Sequence, residues 1–161
     1  AYVRKEYVEL YDLITTEFAK NQGMQHSAIV RGSSGTGKSA FLQYVISRIR
    51  DEVTDVLVVQ GASFDHTFRR YTHLSTTWWG RKVATNLSTF AEACEVEENC
   101  SWTVVDGSDW EPINNNFTVG AASPSTSWKG FAKANCLKLC MPVWPLDKLQ
   151  DCLRQQKSSD M

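Results

Sequence analysis

No run of aliphatic residues in the chain approaches the length of a membrane-crossing helix. The first residues, Ala1-Tyr2-Val3-Arg4-Lys5, lack the apolar core of a secretory signal. A membrane partner is therefore not expected. An initiator Met is also missing, which suggests a domain excised from a longer protein. Net charge is nearly absent too, 17 basic against 18 acidic side chains leaving −1. No global field recruits nucleic acid or an anionic surface, and the short pairs Arg69-Arg70 and Arg81-Lys82 read as solvated face. The cysteines (Cys94, Cys100, Cys136, Cys140, Cys152) form no C-x-x-C pair and have no neighbouring His. Buried reduced thiols are expected rather than a disulfide framework or a zinc ribbon, although Cys136 and Cys140 could approach each other. Repeats and low-complexity segments are lacking, and three N-x-[ST] sequons carry little weight without a signal.

What is present suits one domain. The 161 residues are 42% apolar and 22% charged, ordinary for a chain that buries a core. Within them, Arg31-Gly32-Ser33-Ser34-Gly35-Thr36-Gly37-Lys38-Ser39 fills every fixed position of G-x-x-x-x-G-K-[ST], the phosphate-binding loop. The chemistry explains the spacing. Glycines admit backbone dihedrals that turn several N–H groups inward toward phosphate oxygens. Lys38 would bring a point charge to the β- and γ-phosphates, and the Ser39 hydroxyl would ligate Mg²⁺. The backbone from Gly32 through Ser33, Ser34, Gly35, Thr36, Gly37, Lys38 and Ser39 to Ala40 is the expected nucleotide cradle. A random chain of this length would match the pattern on the order of once in a hundred cases or fewer.

The flanks agree with the loop. Ser27-Ala28-Ile29-Val30 suits a buried strand, and apolar residues at 42, 45, 46 and 49 mark one face of a following helix. Before them, Tyr7, Leu10, Tyr11, Ile14 and Phe18 recur at helical spacing, predicting a helix within an N-terminal segment 1–22. Its plain reading is packing; Arg4 or Tyr7 lying over a nucleotide base is the functional one. Val56-Leu57-Val58-Val59 predicts a strand covered on both faces. Residues 61–88, with Phe64, Phe68, Tyr71 and Trp78-Trp79, read as a helical insertion. Thr89-Phe90-Ala91-Glu92 has capping-box spacing and opens a helix to about residue 98.

Trp102-Thr103-Val104-Val105-Asp106-Gly107 is an apolar strand ending in an acid. Asp-Gly after a strand is commonly a turn, but downstream of a phosphate loop the carboxylate suits a magnesium ion or its waters, opposite Ser39. Many ATP-hydrolysing proteins carry Glu directly after this acid, and here the position is Gly107. Asp109 or Glu111 is the candidate base, with Asp65 a weaker one. Phe117 to Ser123 forms a fourth strand ending in a hydroxyl, either a sensor of the terminal phosphate or a cap beside Pro124. A short helix holding Trp128 and Phe131 follows, then Leu137, Leu139 and Met141 alternate as a fifth strand. Pro145 opens a last helix with Leu146, Leu149 and Leu153 on one face, and 157–161 reads as a tail.

The expected fold is α/β, a P-loop NTPase three-layer sandwich with a mainly parallel five-stranded sheet. Numbering those strands in chain order, the expected spatial order is 5-1-4-3-2, with the ligand crevice at their C-terminal ends. The candidate catalytic residues are Lys38, Asp106, Asp109 and Ser123, and the candidate metal ligands are Ser39 and Asp106. Arg31, Arg69, Arg70 and Arg81 are the candidates for an arginine finger. ATP is favoured over GTP because no N-K-x-D segment occurs. Binding is more strongly indicated than turnover. The alternative is a non-hydrolysing scaffold that contacts another protein, for which exposed aromatics at Trp78-Trp79 or Trp144 would speak. A small-molecule kinase lacks recognisable lid arginines, and DNA binding has little support from charge.

Val3-Arg4-Lys5-Glu6-Tyr7, the loop itself, Val104-Val105-Asp106-Gly107, Ala122-Ser123-Pro124 and Met141-Pro142-Val143-Trp144-Pro145-Leu146-Asp147-Lys148-Leu149 occur in that order. Together they resemble the P-loop NTPase domain of Crinkler effectors and the related retrotransposon hot spot proteins. The resemblance implies phosphate binding at Gly32 to Ser39 and a metal-binding acid at Asp106. It also implies a switch domain of a protein secreted by an oomycete or fungus, acting on host-protein partners and often reaching the host nucleus.

Overall fold

A computed structural model describes residues 3–20, 27–49, 55–61, 67–74, 81–107, 117–123, 136–150 and 154. Helix α1 spans Lys5–Lys20 and buries Tyr7, Tyr11, Ile14 and Phe18 of the stripe its spacing predicts, with Leu10 half-buried. Strand β1 (Ser27–Arg31) runs into the glycine loop, and α2 (Lys38–Ile49) leaves it, burying Phe41, Leu42, Val45, Ile46 and Ile49. Strand β2 (Asp55–Gln60) is buried through its four central residues. After β3 (Thr67–Leu74) and β4 (Arg81–Leu87) comes α3 (Phe90–Asn99). The Thr89 hydroxyl accepts from the N–H of Glu92, and the Glu92 carboxylate accepts from the N–H of Thr89, closing the expected capping box. Strands β5 (Trp102–Asp106), β6 (Phe117–Ala122) and β7 (Cys136–Cys140) complete the order.

The sheet runs β4-β3-β2-β5-β6-β1-β7. Strands β2, β5, β6, β1 and β7 are parallel to one another, and β3 and β4 are antiparallel. The full order thus differs from the five-strand expectation by two strands added at one edge, and those strands lie where a helical insertion at 61–88 was expected. The physical reason is legible afterwards. Thr67, Phe68, Tyr71, Thr72, Val83 and Thr85 are aromatic and β-branched, which favours a pleated strand over a helix. β4 is an edge strand, which needs no continuous apolar run, and the basic residues of both strands disguised them.

Alternation along the strands divides the core in two. Ala28, Val30, Val56, Val58, Val104, Val119 and Ala121 pack with α1 and α2, while Ile29, Leu57, Val59, Val105 and Ala122 pack with Ala93 and Val96 of α3. Helices therefore cover both faces of the parallel region, giving three layers. At the far end of α1, Phe18 stacks on Phe117 at 5.0 Å between ring centroids and tilts against Trp102 at 5.8 Å. Nearer the loop, Tyr7 meets Phe41 at 5.7 Å.

Two further expectations change. The turn over 146–150 does not bury its apolar face: Leu146 is 71% exposed and Leu149 42%. Cys136 and Cys140 occupy one extended strand, four residues and about 13 Å apart, so they cannot bond to each other. Cys94, Cys100, Cys136 and Cys140 are all free thiols, and Cys140 is exposed rather than buried. Among the described residues no helix is long and apolar enough to cross a membrane. The segment with Trp128 and Phe131, Trp78-Trp79, Leu153, Cys152 and the 157–161 tail lie outside the described residues.

Candidate functional site: a phosphate-loop cavity

Strand order decides what meets at the C-terminal edge of the sheet. β6 lies between β1 and β5, so the loop after β1 and the acid ending β5 flank the end of β6. A cavity of about 400 Å³ opens there, lined by Ser34, Gly35, Gly37, Lys38, Ser39, Ala40, Asp106, Gly107, Ala121 and Ser123. That volume falls in the range of small-molecule sites. The structure thus brings Lys38, Ser39, Asp106 and Ser123 to one hollow. Of the remaining cradle residues, Gly32, Ser33 and Thr36 build the loop from behind.

The loop holds its form through local bonds. Gly35 and Gly37 take φ of 76° and 91°, a region that L side chains rarely adopt. Thr36, buried, donates from its hydroxyl to the Ser33 carbonyl at 2.9 Å. The Lys38 ammonium folds over the loop and donates to the carbonyls of Gly32 at 2.8 Å and Ser33 at 2.7 Å. Its charge thereby stays at the mouth of the cavity rather than in bulk water.

Ser39, in the first turn of α2, donates from its hydroxyl to Oδ1 of Asp106 at 3.0 Å. The backbone around Asp106 is pinned on both sides: its carbonyl accepts from the N–H of Gly61 at 3.3 Å, and Gly107 donates to the Ala121 carbonyl at 3.1 Å. Both side-chain atoms are hard oxygens, the ligand type magnesium selects. Ser39 and Asp106 would be the residues to hold such an ion, their oxygens being 3.0 Å apart. Among the described residues no group of three or more His, Cys, Asp or Glu gathers to hold a metal.

Gly107 has φ of +65°. The position that holds Glu in many ATP-hydrolysing proteins is here a turn in the left-handed region, which a side chain occupies only with strain. Asp109, Glu111 and Asp65 lie outside the described residues. Arg31 ends β1 and is exposed, away from the residues lining the cavity. Arg69 and Arg70 sit on β3, four strand spacings or about 19 Å from β1, and Arg81 on β4 is farther still.

Behind the loop is a cluster whose arrangement the sequence did not reveal. Arg4 is 2% exposed and donates to the carbonyls of Thr36 at 2.8 Å and Pro142 at 3.4 Å. Its guanidinium lies 4.1 Å from the Trp144 ring centroid and pairs with Glu6 at 3.4 Å. Tyr7 donates from its hydroxyl to the Gly37 carbonyl at 2.9 Å. Arg4 and Tyr7 bond to the loop's carbonyls and are not among the residues lining the cavity, in keeping with the packing reading of this segment. The available signal was the pairing of Val3–Tyr7 with the Met-Pro-Val-Trp segment, distant in sequence and unneeded by a bare phosphate loop.

No protein-family model matches this sequence, and no curated protein matches it. Among solved structures, the chain is similar to one from work on DNA unwinding at forked double-stranded DNA by two coordinating Pif1 helicases. The TM-score is 0.46 at 13% identity, over 89% of this chain and 45% of that one. The chain thus spans under half the length of that neighbour. At this level the likeness carries no argument about function, which is built below from the cavity itself.

Proposed function

We propose that this protein binds Mg²⁺ and a nucleoside triphosphate, ATP in preference to GTP, at the 32–40 loop, and hydrolyses it slowly as a switch. The 3.0 Å approach of Ser39 to Asp106 beside a formed glycine loop is the observation that carries this reading. A structural turn at Asp-Gly would need no partner on the loop helix.

In this reading Lys38 exchanges the Gly32 and Ser33 carbonyls for phosphate oxygens. The N–H groups of Gly37 and Lys38 have no partner to gain within the first helical turn and are free to meet an anion. Ser39 and Asp106 hold the magnesium ion, directly or through its waters. Such an ion, held there, would supply positive charge beside the phosphate oxygens. Ser123 lines the same cavity and is our candidate for contact with that group or the attacking water. With Gly107 where a Glu would activate water, slow turnover is the expectation. Asp109 is retained as a candidate base on its sequence position alone.

Calorimetry with ATP, with and without Mg²⁺, on the parent and Lys38→Ala tests the proposal. Magnesium-dependent heat in the parent and a loss of affinity on the order of a hundredfold in the variant are expected, in line with charge-assisted contacts. Equal, negligible heats throughout would reject it.

A second reading, a scaffold that contacts another protein, is favoured by the exposure of Val143 (68%), Leu146 and Leu149 on the C-terminal segment. On that reading Lys38→Ala would leave partner capture unchanged. The setting of a secreted effector acting in a host nucleus is supported by the sequence resemblance, and we propose it on that basis.

A further inference from the structure

We infer that Arg4 and Tyr7, backed by Trp144, are positioning residues that aim the phosphate-binding amides of the loop; this rests on the nucleotide reading above. The two side chains bond to consecutive carbonyls, Thr36 at 2.8 Å and Gly37 at 2.9 Å. In a planar trans peptide the carbonyl of one residue and the N–H of the next point in opposite directions. No described peptide bond is cis. Holding the Thr36 carbonyl toward Arg4 therefore turns the Gly37 N–H away from it. The Gly37 carbonyl accepts from the Tyr7 hydroxyl as well as from the Phe41 N–H of α2 at 2.9 Å, and the two together turn the Lys38 N–H the other way. Gly37 and Lys38 line the cavity, whereas Arg4, Tyr7 and Trp144 do not. The latch pulls from behind and the amides face the ligand.

Three observations show a built device. A buried arginine is costly unless its donors are satisfied, and Arg4 meets Thr36, Pro142 and Glu6 while stacking on Trp144. Gly37 closes against it: a Cβ there would lie 2.5 Å from the Tyr7 hydroxyl and 3.4 Å from Nε1 of Trp144. The Met141 N–H bonds to the Arg31 carbonyl at 2.7 Å, tying the segment that carries Trp144 to the strand that opens the loop. A helix before the loop and a segment from the far end of the chain thus converge on two peptide units.

The test uses pyrophosphate as the probe, since it needs no base contact, alongside ATP with magnesium. Tyr7→Phe removes only the hydroxyl, and Arg4→Lys keeps the charge but loses the planar fork and the stack. Leu10→Ala, on α1 just beyond Tyr7 and packed on the core but not lining the cavity, serves as a control that lowers stability alone. Measured well below the melting temperature, Tyr7→Phe is expected to weaken both ligands about fivefold and Arg4→Lys about tenfold, the scale of one or two lost hydrogen bonds. Leu10→Ala should melt earlier yet bind like the parent. In ¹⁵N-labelled parent, the Gly37 and Lys38 amide resonances should shift on adding pyrophosphate, and shift less in Tyr7→Phe. Parental affinity and shifts in Tyr7→Phe, or an equal loss in Leu10→Ala, would overturn the latch while leaving nucleotide binding intact. A parent that binds neither ligand would reject the nucleotide reading itself, and the latch with it.

Discussion

Ser39 and Asp106 are separated by 67 positions in sequence, yet the hydroxyl of one donates to the carboxylate of the other at 3.0 Å. The contact exists because β6 spaces β5 from β1 and brings both C-terminal ends to the same rim. It sets the first prediction. Asp106→Asn keeps the size and removes the charge, so magnesium should no longer enhance ATP binding, and affinity with magnesium should fall about tenfold toward the metal-free value. Calorimetry across a magnesium titration reads this directly, and an undiminished magnesium effect would place the ion elsewhere.

Gly107 turns the chain at φ of +65°, with nothing within 4 Å of where a Cβ would stand. Gly107→Ala should therefore cost about 1–2 kcal/mol through backbone strain alone. Gly37→Ala combines a φ of +91° with a close approach to the Tyr7 hydroxyl, so it should cost more and also abolish nucleotide binding. Denaturant melts of both variants, paired with ATP titrations, separate backbone strain from steric clash.

The capping box of α3 gives a prediction independent of the cavity. Thr89→Ala leaves the N–H of Glu92 without its side-chain acceptor and should destabilise the fold by about 1 kcal/mol. Nucleotide affinity should be unchanged, since α3 packs on the sheet face opposite α1 and α2.

Burial pushes the Cys136 thiol above its ordinary range, with a Ser27 hydrogen bond and Lys138 partly opposing it. Folding therefore favours the neutral thiol. Its contribution is fully present below the unfolded-state value, near 8.5, and declines as pH rises toward the folded one. Melts of the parent should lose stability above about pH 8.5, and Cys136→Ser should flatten that decline. Labelling at neutral pH should reach exposed Cys140 before Cys136.

Much of the parallel core was legible because its signals are local. The continuous apolar run Val56–Val59 needs cover on both faces, and the stripe from Tyr7 to Phe18 needs a surface beneath it; each is buried as expected. The edge was not legible. Thr67–Leu74 and Arg81–Leu87 hold β-branched residues, with Phe68 and Tyr71 in the first, that favour a strand, but their basic residues interrupt any continuous apolar run and hid that preference. Pairing of the first with β2, and of the second with the first, selects the strand.

The sequence by itself determined the loop, its glycines, its lysine and serine, and the existence of an acid at the end of a buried strand. These follow from dihedral freedom and hydrophobic run length, both properties of neighbouring residues. Tertiary structure alone decided that Asp106 faces Ser39, that Gly107 turns left-handed, and that Arg4, Tyr7 and Trp144 converge behind the loop. Contacts spanning most of the chain depend on strand order and helix docking, and no local pattern encodes where two distant segments meet.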